Sequence, residues 1–229
     1  MNTNSNTYTI VYASVMVVIV AFLLAFVSSS LKDKQNENVE LDKKKQILSA
    51  LNVDIKGADV AQLYSEIVKQ EPLLSADGSI KAEEGAFAID SKVENAKPLA
   101  ERNLPLFICQ VEGATKYVLP VYGAGLWGPI WGYVALNDDK STIFGVYFSH
   151  AGETPGLGAE ITSVPFKSQF PGKQISKEGE FTSVAIVKPG NAEEGRDYVN
   201  GISGGTITSQ GVDAMLNDGL GQYVNFLKQ

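Results

Sequence analysis

The sequence has few of the residues that commonly carry catalysis or metal binding. There is one cysteine, Cys109, and one histidine, His150, in 229 residues. A lone cysteine cannot close an intrachain disulfide. Set in the apolar run LPLFICQ, Cys109 reads as a buried strand residue. One Cys and one His, far apart in the chain, give no zinc-type ligand spacing. No lysine follows GGT at 204–206, so a nucleoside-triphosphate loop is not supported. A dinucleotide turn and a hydrolase elbow are not expected either. A hydrolase using Ser203 or Thr206 with His150 would also lack an orienting acid.

Charge is absent from the first 31 residues; Lys32 is the first charged side chain. All 19 basic and 26 acidic residues lie within residues 32–229, so the net charge of -7 belongs to that part of the chain. An acidic domain is a poor partner for nucleic acid, whose binding rests on Lys and Arg neutralising phosphates.

The uncharged start holds one long apolar run, Ile10–Val27, with no Pro or Gly. As a helix it spans roughly 27 Å, and with its flanks it is long enough to cross a bilayer. No Lys or Arg precedes it, and it exceeds the core of an ordinary signal peptide. We therefore expect an uncleaved single-pass anchor. Lys32, Lys34 and Lys43–Lys45 follow the helix, which by the positive-inside rule favours a cytoplasmic domain.

Beyond the anchor, Leu41, Ile47, Leu48 and Leu51 recur near helical spacing, and Gly57–Gln70 reads as a second amphipathic helix. Strands are expected at Phe87–Asp90, Leu106–Gln110, Lys116–Tyr122, Trp131–Asn137 and Ile143–Ser149, the last two joined by a hairpin at 138–140. A helical stretch at Ala159–Phe170, a strand at Thr182–Lys188 and a helix over 211–227 complete the pattern. Strands in runs with helices at the ends indicate an antiparallel-rich α+β fold.

Three glycine-rich stretches lie outside this pattern. VYGAGLWGPIWGYVAL, 121–136, carries Trp127 and Trp131, which are either an exposed binding wall or core residues around a bulge. HAGETPGLGAEI, 150–161, is either a plain turn or a loop presenting free N–H groups at a helix start. SGGTITSQGV, 203–212, crowds four hydroxyls, Ser203, Thr206, Thr208 and Ser209, around Gly204 and Gly205. It is either an ordinary glycine turn or an anion-binding nest, with Thr208 or Ser209 capping the helix that follows.

NGISGGTITSQGV, 200–212, resembles the flavinylation motif of the covalent FMN-binding domain family, D-x-x-S/T-G-A-T-x-T/S. Asn200 stands where Asp is usual and Gly205 where Ala is usual. LKDKQNENVELDKKKQIL, YGAGLWGPIWGYVAL and HAGETPGLGAEI resemble, within that family, the C-subunit type of the sodium-translocating NADH:quinone oxidoreductases. The G subunit of the Rnf complex shares the ETPGLG and SGAT stretches and is the alternative; a flavin-free membrane-anchored module is a second.

The resemblance implies FMN held covalently as a phosphoester on Thr206, with Ser203, Gly204, Gly205 and Thr208 around it. It places Glu153, Thr154 and Leu157 against the flavin, Lys188 near the ring, and Trp127 as a wall residue. It implies an N-terminal tail at 1–7, a transmembrane helix at 8–31, a helical linker and packing region at 32–80, and an α+β FMN-binding domain at 81–229. The implied partners are the other subunits of a membrane complex in the bacterial inner membrane, membrane lipid and a flavin transferase. The implied location of the domain is periplasmic, against the lysine distribution.

Overall fold

A computed structural model describes residues 5–229; of the tail expected at 1–7, residues 1–4 lie outside the described residues. Helix α1 (Asn6–Ala50) is one unbroken helix of 45 residues, about 68 Å long. Its apolar part is exposed: Phe22 is 70% and Leu24 66% exposed. Among the described residues it is the one helix long and apolar enough to cross a membrane. The helix continues past residue 31 without a break.

The chain forms two compact units, Met1–Lys43 and Lys44–Gln229. The second begins with the last turns of α1 and continues through α2 (Val60–Ile67), β1 (Val68–Gln70), β2 (Leu73–Leu74), β3 (Ile80–Ala82) and α3 (Ser91–Asn95). Next come β4 (Leu104–Pro105), β5 (Phe107–Val111), β6 (Ala114–Ala124), β7 (Pro129–Leu136) and β8 (Ile143–His150). After these follow α4 (Val164–Lys167), β9 (Ser176–Lys177), β10 (Glu180–Phe181), β11 (Ala185–Val187), β12 (Tyr198–Asn200), α5 (Thr206–Gly221) and α6 (Val224–Leu227).

The main sheet has the order β1-β5-β6-β7-β8, antiparallel throughout. Side chains alternate across it, and both faces are covered. Leu119, Val121, Ile130, Val134 and Phe148 point to one face and pack with Val212, Met215, Leu216 and Leu220 of α5. Val118, Tyr133 and Ala135 point to the other and pack with Ile47 and Leu48 from the end of α1 and with Tyr64 of α2. An irregularity between Ala135 and Leu136 shifts the β7–β8 register, so Ile143 and Val146 can both enter the α5 side.

Several expected boundaries move. Phe87–Asp90 is not a strand: Ala86–Ala88 forms a 3-10 turn after Gly85, and Asp90 caps α3 by accepting from Lys92 N–H. The expected helix at 159–170 is a 3-10 turn, Gly158–Thr162, followed by the short α4. Ser163 is extended between them, and Pro165 brings no N–H to carry a helix through. The strand at 182–188 contracts to β11, because Ser183 turns the chain with φ +56°. In α2 the cap is Asp59, which accepts from Ala61 and Gln62 N–H, and the helix ends at Ile67 rather than Gln70. The last helix begins at Thr206, earlier than the expected 211.

Candidate functional site

A parallel strand pair delivers the hydroxyl-rich loop. β11 and β12 align from Ala185↔Tyr198 to Val187↔Asn200, and Gly201 N–H extends the ladder by donating to Val187 O at 2.7 Å. Lys188, one residue beyond β11, therefore lies beside the loop. Gly205 N–H donates to Ile202 O at 3.0 Å, closing a turn in which Gly204 has φ +77°. That angle is the one a glycine adopts without steric cost. Helix α5 starts at the next residue. Its N-cap is Gly205 and has no side-chain hydrogen bond. Neither Thr208 nor Ser209 caps it; both lie inside the first turn.

The four hydroxyls divide in two. Thr208 is buried and donates to Glu153 Oε2 at 2.6 Å. Ser209 is buried and accepts from Ile202 N–H at 2.9 Å. Ser203 and Thr206 are exposed, and neither side chain has a hydrogen-bond partner among the described residues. Thr206 stands between two clefts. One, of about 270 Å³, is lined by Lys188, Pro189, Ile202, Ser203, Gly204, Thr206 and Gln210. The other, of about 200 Å³, is lined by Leu126, Trp127, Glu153, Thr154, Leu157, Gly204, Gly205, Thr206, Ile207 and Thr208. The structure thus brings all ten residues singled out in the sequence to one place.

The second cleft has an apolar rim. Trp127 is 69% exposed, and Leu126, Leu157 and Ile207 are also exposed. Trp131 is not part of this wall: it is half-buried, and its indole N–H donates to Gln46 at 3.2 Å on the α1 side of the sheet. Beneath the rim, Glu153 is buried with both oxygens engaged, Oε1 accepting from Trp127 N–H at 2.8 Å and Oε2 from Thr208. His150 Nδ1 accepts from Glu153 N–H at 3.1 Å. Neither Ser203 nor Thr206 hydrogen-bonds to His150, so the hydrolase reading has no nucleophile–base pair.

Two glycine patterns present in the letters take other geometries. Gly123, Gly125 and Gly128 have dinucleotide-loop spacing but lie at the antiparallel β6–β7 hairpin, not at a strand-to-helix turn. Gly201-Ile-Ser203-Gly-Gly205 matches a nucleophile-elbow pattern between a strand and a helix. Ser203, however, is not among the residues with positive φ, so it lacks the strained backbone of an elbow.

Residues 125–221 match the model of the FMN-binding domain family. The C subunit of the Na(+)-translocating NADH-quinone reductase of Vibrio campbellii is 30% identical, over 88% of this chain and 85% of its own length. The chain belongs to this C-subunit family. The C subunit of Pseudomonas aeruginosa is 28% identical over 96% of this chain and 94% of its own. The crystal structure of the C subunit from Parabacteroides distasonis superposes with a TM-score of 0.82 at 47% identity, covering 87% of this chain and 98% of that one. That of Shewanella oneidensis gives 0.69 at 28% identity, covering 83% and 99%.

Within this C-subunit chain, the structure gives roles to several residues whose part in the site the sequence did not assign. Ser209 and His150 fix loops by accepting backbone N–H groups. Leu126 and Ile207 complete the apolar rim. An exposed Leu or Ile next to a motif gives no signal until the fold shows what it faces.

Proposed function

We propose that this chain is the flavin-carrying subunit of a membrane complex that passes electrons from NADH to quinone and moves sodium ions. In this reading FMN is attached as a phosphoester to Thr206 Oγ. The sorting of the hydroxyls supports it best: Thr208 and Ser209 are committed inside the fold, and of the two exposed hydroxyls only Thr206 opens onto both clefts and starts a helix.

The residues present fit the group. The uncapped first turn of α5 offers unpaired N–H groups and the positive end of a helix to a phosphate. Leu126, Trp127, Leu157 and Ile207 offer apolar surface to a planar ring. Lys188 supplies a positive charge at the other cleft, which favours a negatively charged reduced ring. When bound, FMN supplies the reversible electron transfer. The chain's own residues hold, orient and electrostatically tune it.

Attachment balances as follows. Thr206 Oγ bonds to the FMN-side phosphorus of FAD, the P–O bond to AMP breaks, AMP leaves with the electron pair, and the hydroxyl proton goes to solvent. A separate flavin transferase presents the FAD. NADH, quinone and sodium are handled by partner subunits. Helix α1 anchors the chain in the inner membrane lipid, with the domain on the periplasmic side, where the transferase reaches it.

Co-expression of the full chain with the transferase tests the attachment. Wild type and Ser203→Ala should show covalent flavin fluorescence in a denaturing gel, and Thr206→Ala should not. Fluorescence retained in Thr206→Ala would move the site elsewhere. Protease treatment of intact spheroplasts tests the orientation: digestion of the domain is expected, and full protection would place it in the cytoplasm.

A further inference from the structure

Glu153 has an unusual setting. Its side chain is buried and forms no ion pair among the described residues. Its donors are neutral and come from two different segments: the backbone N–H of Trp127 and the hydroxyl of Thr208. Its own N–H is fixed by His150. A buried carboxylate without a cation is costly, so nothing in simple core packing favours it. Two glycines make room for it. A Cβ at Gly125 would meet Glu153 Oε1, and one at Gly158 would meet Glu153 Oε2 and the Thr208 hydroxyl.

The geometry of an α-helix gives this tie a consequence. Residues two apart are rotated by about 200°. Drawing Thr208 inward onto Glu153 therefore turns Thr206 outward. The same carboxylate holds the backbone of Trp127 at the mouth of the adjoining cleft.

We propose that Glu153 is the positioning residue for modification of Thr206: its carboxylate sets the rotation of the first turn of α5 and holds the Trp127 turn beside it. This rests on the reading that Thr206 is the modified residue. Glu153 does not touch the reacting atoms. It acts through Thr208 and Trp127. A glutamine can keep both ties, its oxygen accepting from Trp127 N–H and its amide N–H donating to the Thr208 hydroxyl, which also accepts, whereas a leucine of similar size keeps neither.

The test uses the full chain, purified flavin transferase and FAD, with the initial rate of covalent flavin incorporation measured against chain concentration. Glu153→Leu should lower kcat roughly tenfold or more, as misplacement of an acceptor group does, with KM little changed. Thr208→Val should give a comparable loss, Thr208→Ser should keep the wild-type rate, and the double variant Glu153→Leu/Thr208→Val should be no worse than the singles. A flavin-independent readout uses the Trp131→Phe background, where Trp127 is the sole indole. Its emission anisotropy should fall with Glu153→Leu and stay unchanged with Thr208→Val. Thr208→Val keeps a near-isosteric side chain and serves if Glu153→Leu does not fold. Wild-type rates in both Glu153→Leu and Thr208→Val, or a Thr208→Ser loss equal to that of Thr208→Val, would overturn the proposal. Failure of the wild-type chain to take up flavin would instead overturn the assignment of Thr206.

Discussion

Replacing Gly158 with alanine should damage the site through one added methyl group. An alanine Cβ there would press on Glu153 Oε2 and on the Thr208 hydroxyl, with Thr208 Cβ at 3.1 Å as the next neighbour. The methyl would fall on the hydrogen bond that joins the two residues. Overpacking a filled site costs about 1–3 kcal/mol. Losing a hydrogen bond to a buried charged group costs about 1.5–3 kcal/mol. The alanine restricts the unfolded chain and returns about 0.4–1 kcal/mol. The net expectation is a destabilisation of roughly 2–5 kcal/mol, or a fall in Tm of about 10 °C for a domain of this size. Gly152 is the control six residues earlier: a Cβ there meets nothing within 4 Å, and Gly152→Ala should lie within about 0.5 kcal/mol of wild type. Thermal unfolding of the full-length variants in detergent, followed by circular dichroism, compares them. A Gly158→Ala chain as stable as Gly152→Ala would refute the packing argument around Glu153.

Three further outcomes follow from the surroundings of individual residues. Burial, with a smaller contribution from the Glu71 charge, pushes the Cys109 thiol up to about 12. Iodoacetamide at pH 8 should therefore leave Cys109 unmodified in the native chain and label it on unfolding; fast native labelling would contradict its placement. Burial raises the Asp197 carboxyl, but the Gln174 amide, Lys177 and Lys173 outweigh it, so its pKa lies below the ordinary carboxylate value. Its stabilisation is thus present above about pH 4 and lost as pH falls. Asp197→Asn should show a shallower loss of stability than wild type in urea unfolding between neutral and acidic pH. In the flavin-loaded chain, Lys188→Gln should make the midpoint potential more negative, since a cation favouring the reduced ring is gone; an unchanged potential would remove Lys188 from the ring's surroundings.

The central strands were legible because they alternate. Residues 106–110, 116–122, 131–137 and 143–149 carry apolar side chains in a pattern that the two-faced sheet uses directly. The errors arose where local chemistry outweighed pattern. Phe87–Asp90 is apolar enough for a strand, but Asp90 accepts from Lys92 N–H and begins a helix there. Pro165 and the extended Ser163 interrupt a helix that hydrophobic spacing favours.

In the site, the motif at 200–212 was readable, but the division of labour among its hydroxyls was not. Thr208 and Ser209 have the composition of helix caps. Their partners are Glu153, 55 positions away, and the N–H of Ile202. Trp127 and Trp131 differ by four residues and look alike in sequence. One lies in the exposed turn after β6, and the other is carried by β7 to the opposite face of the sheet, where it meets Gln46. Lys188 reaches the loop only because β11 and β12 pair in parallel.

The most direct test of the central claim is the intact mass of the chain taken from its native membrane, followed by peptide mapping of residues 200–212. A gain of one FMN less one water, localised to Thr206, is expected. An unmodified mass from cells that contain the flavin transferase, or the same gain localised to Ser203, would contradict the claim.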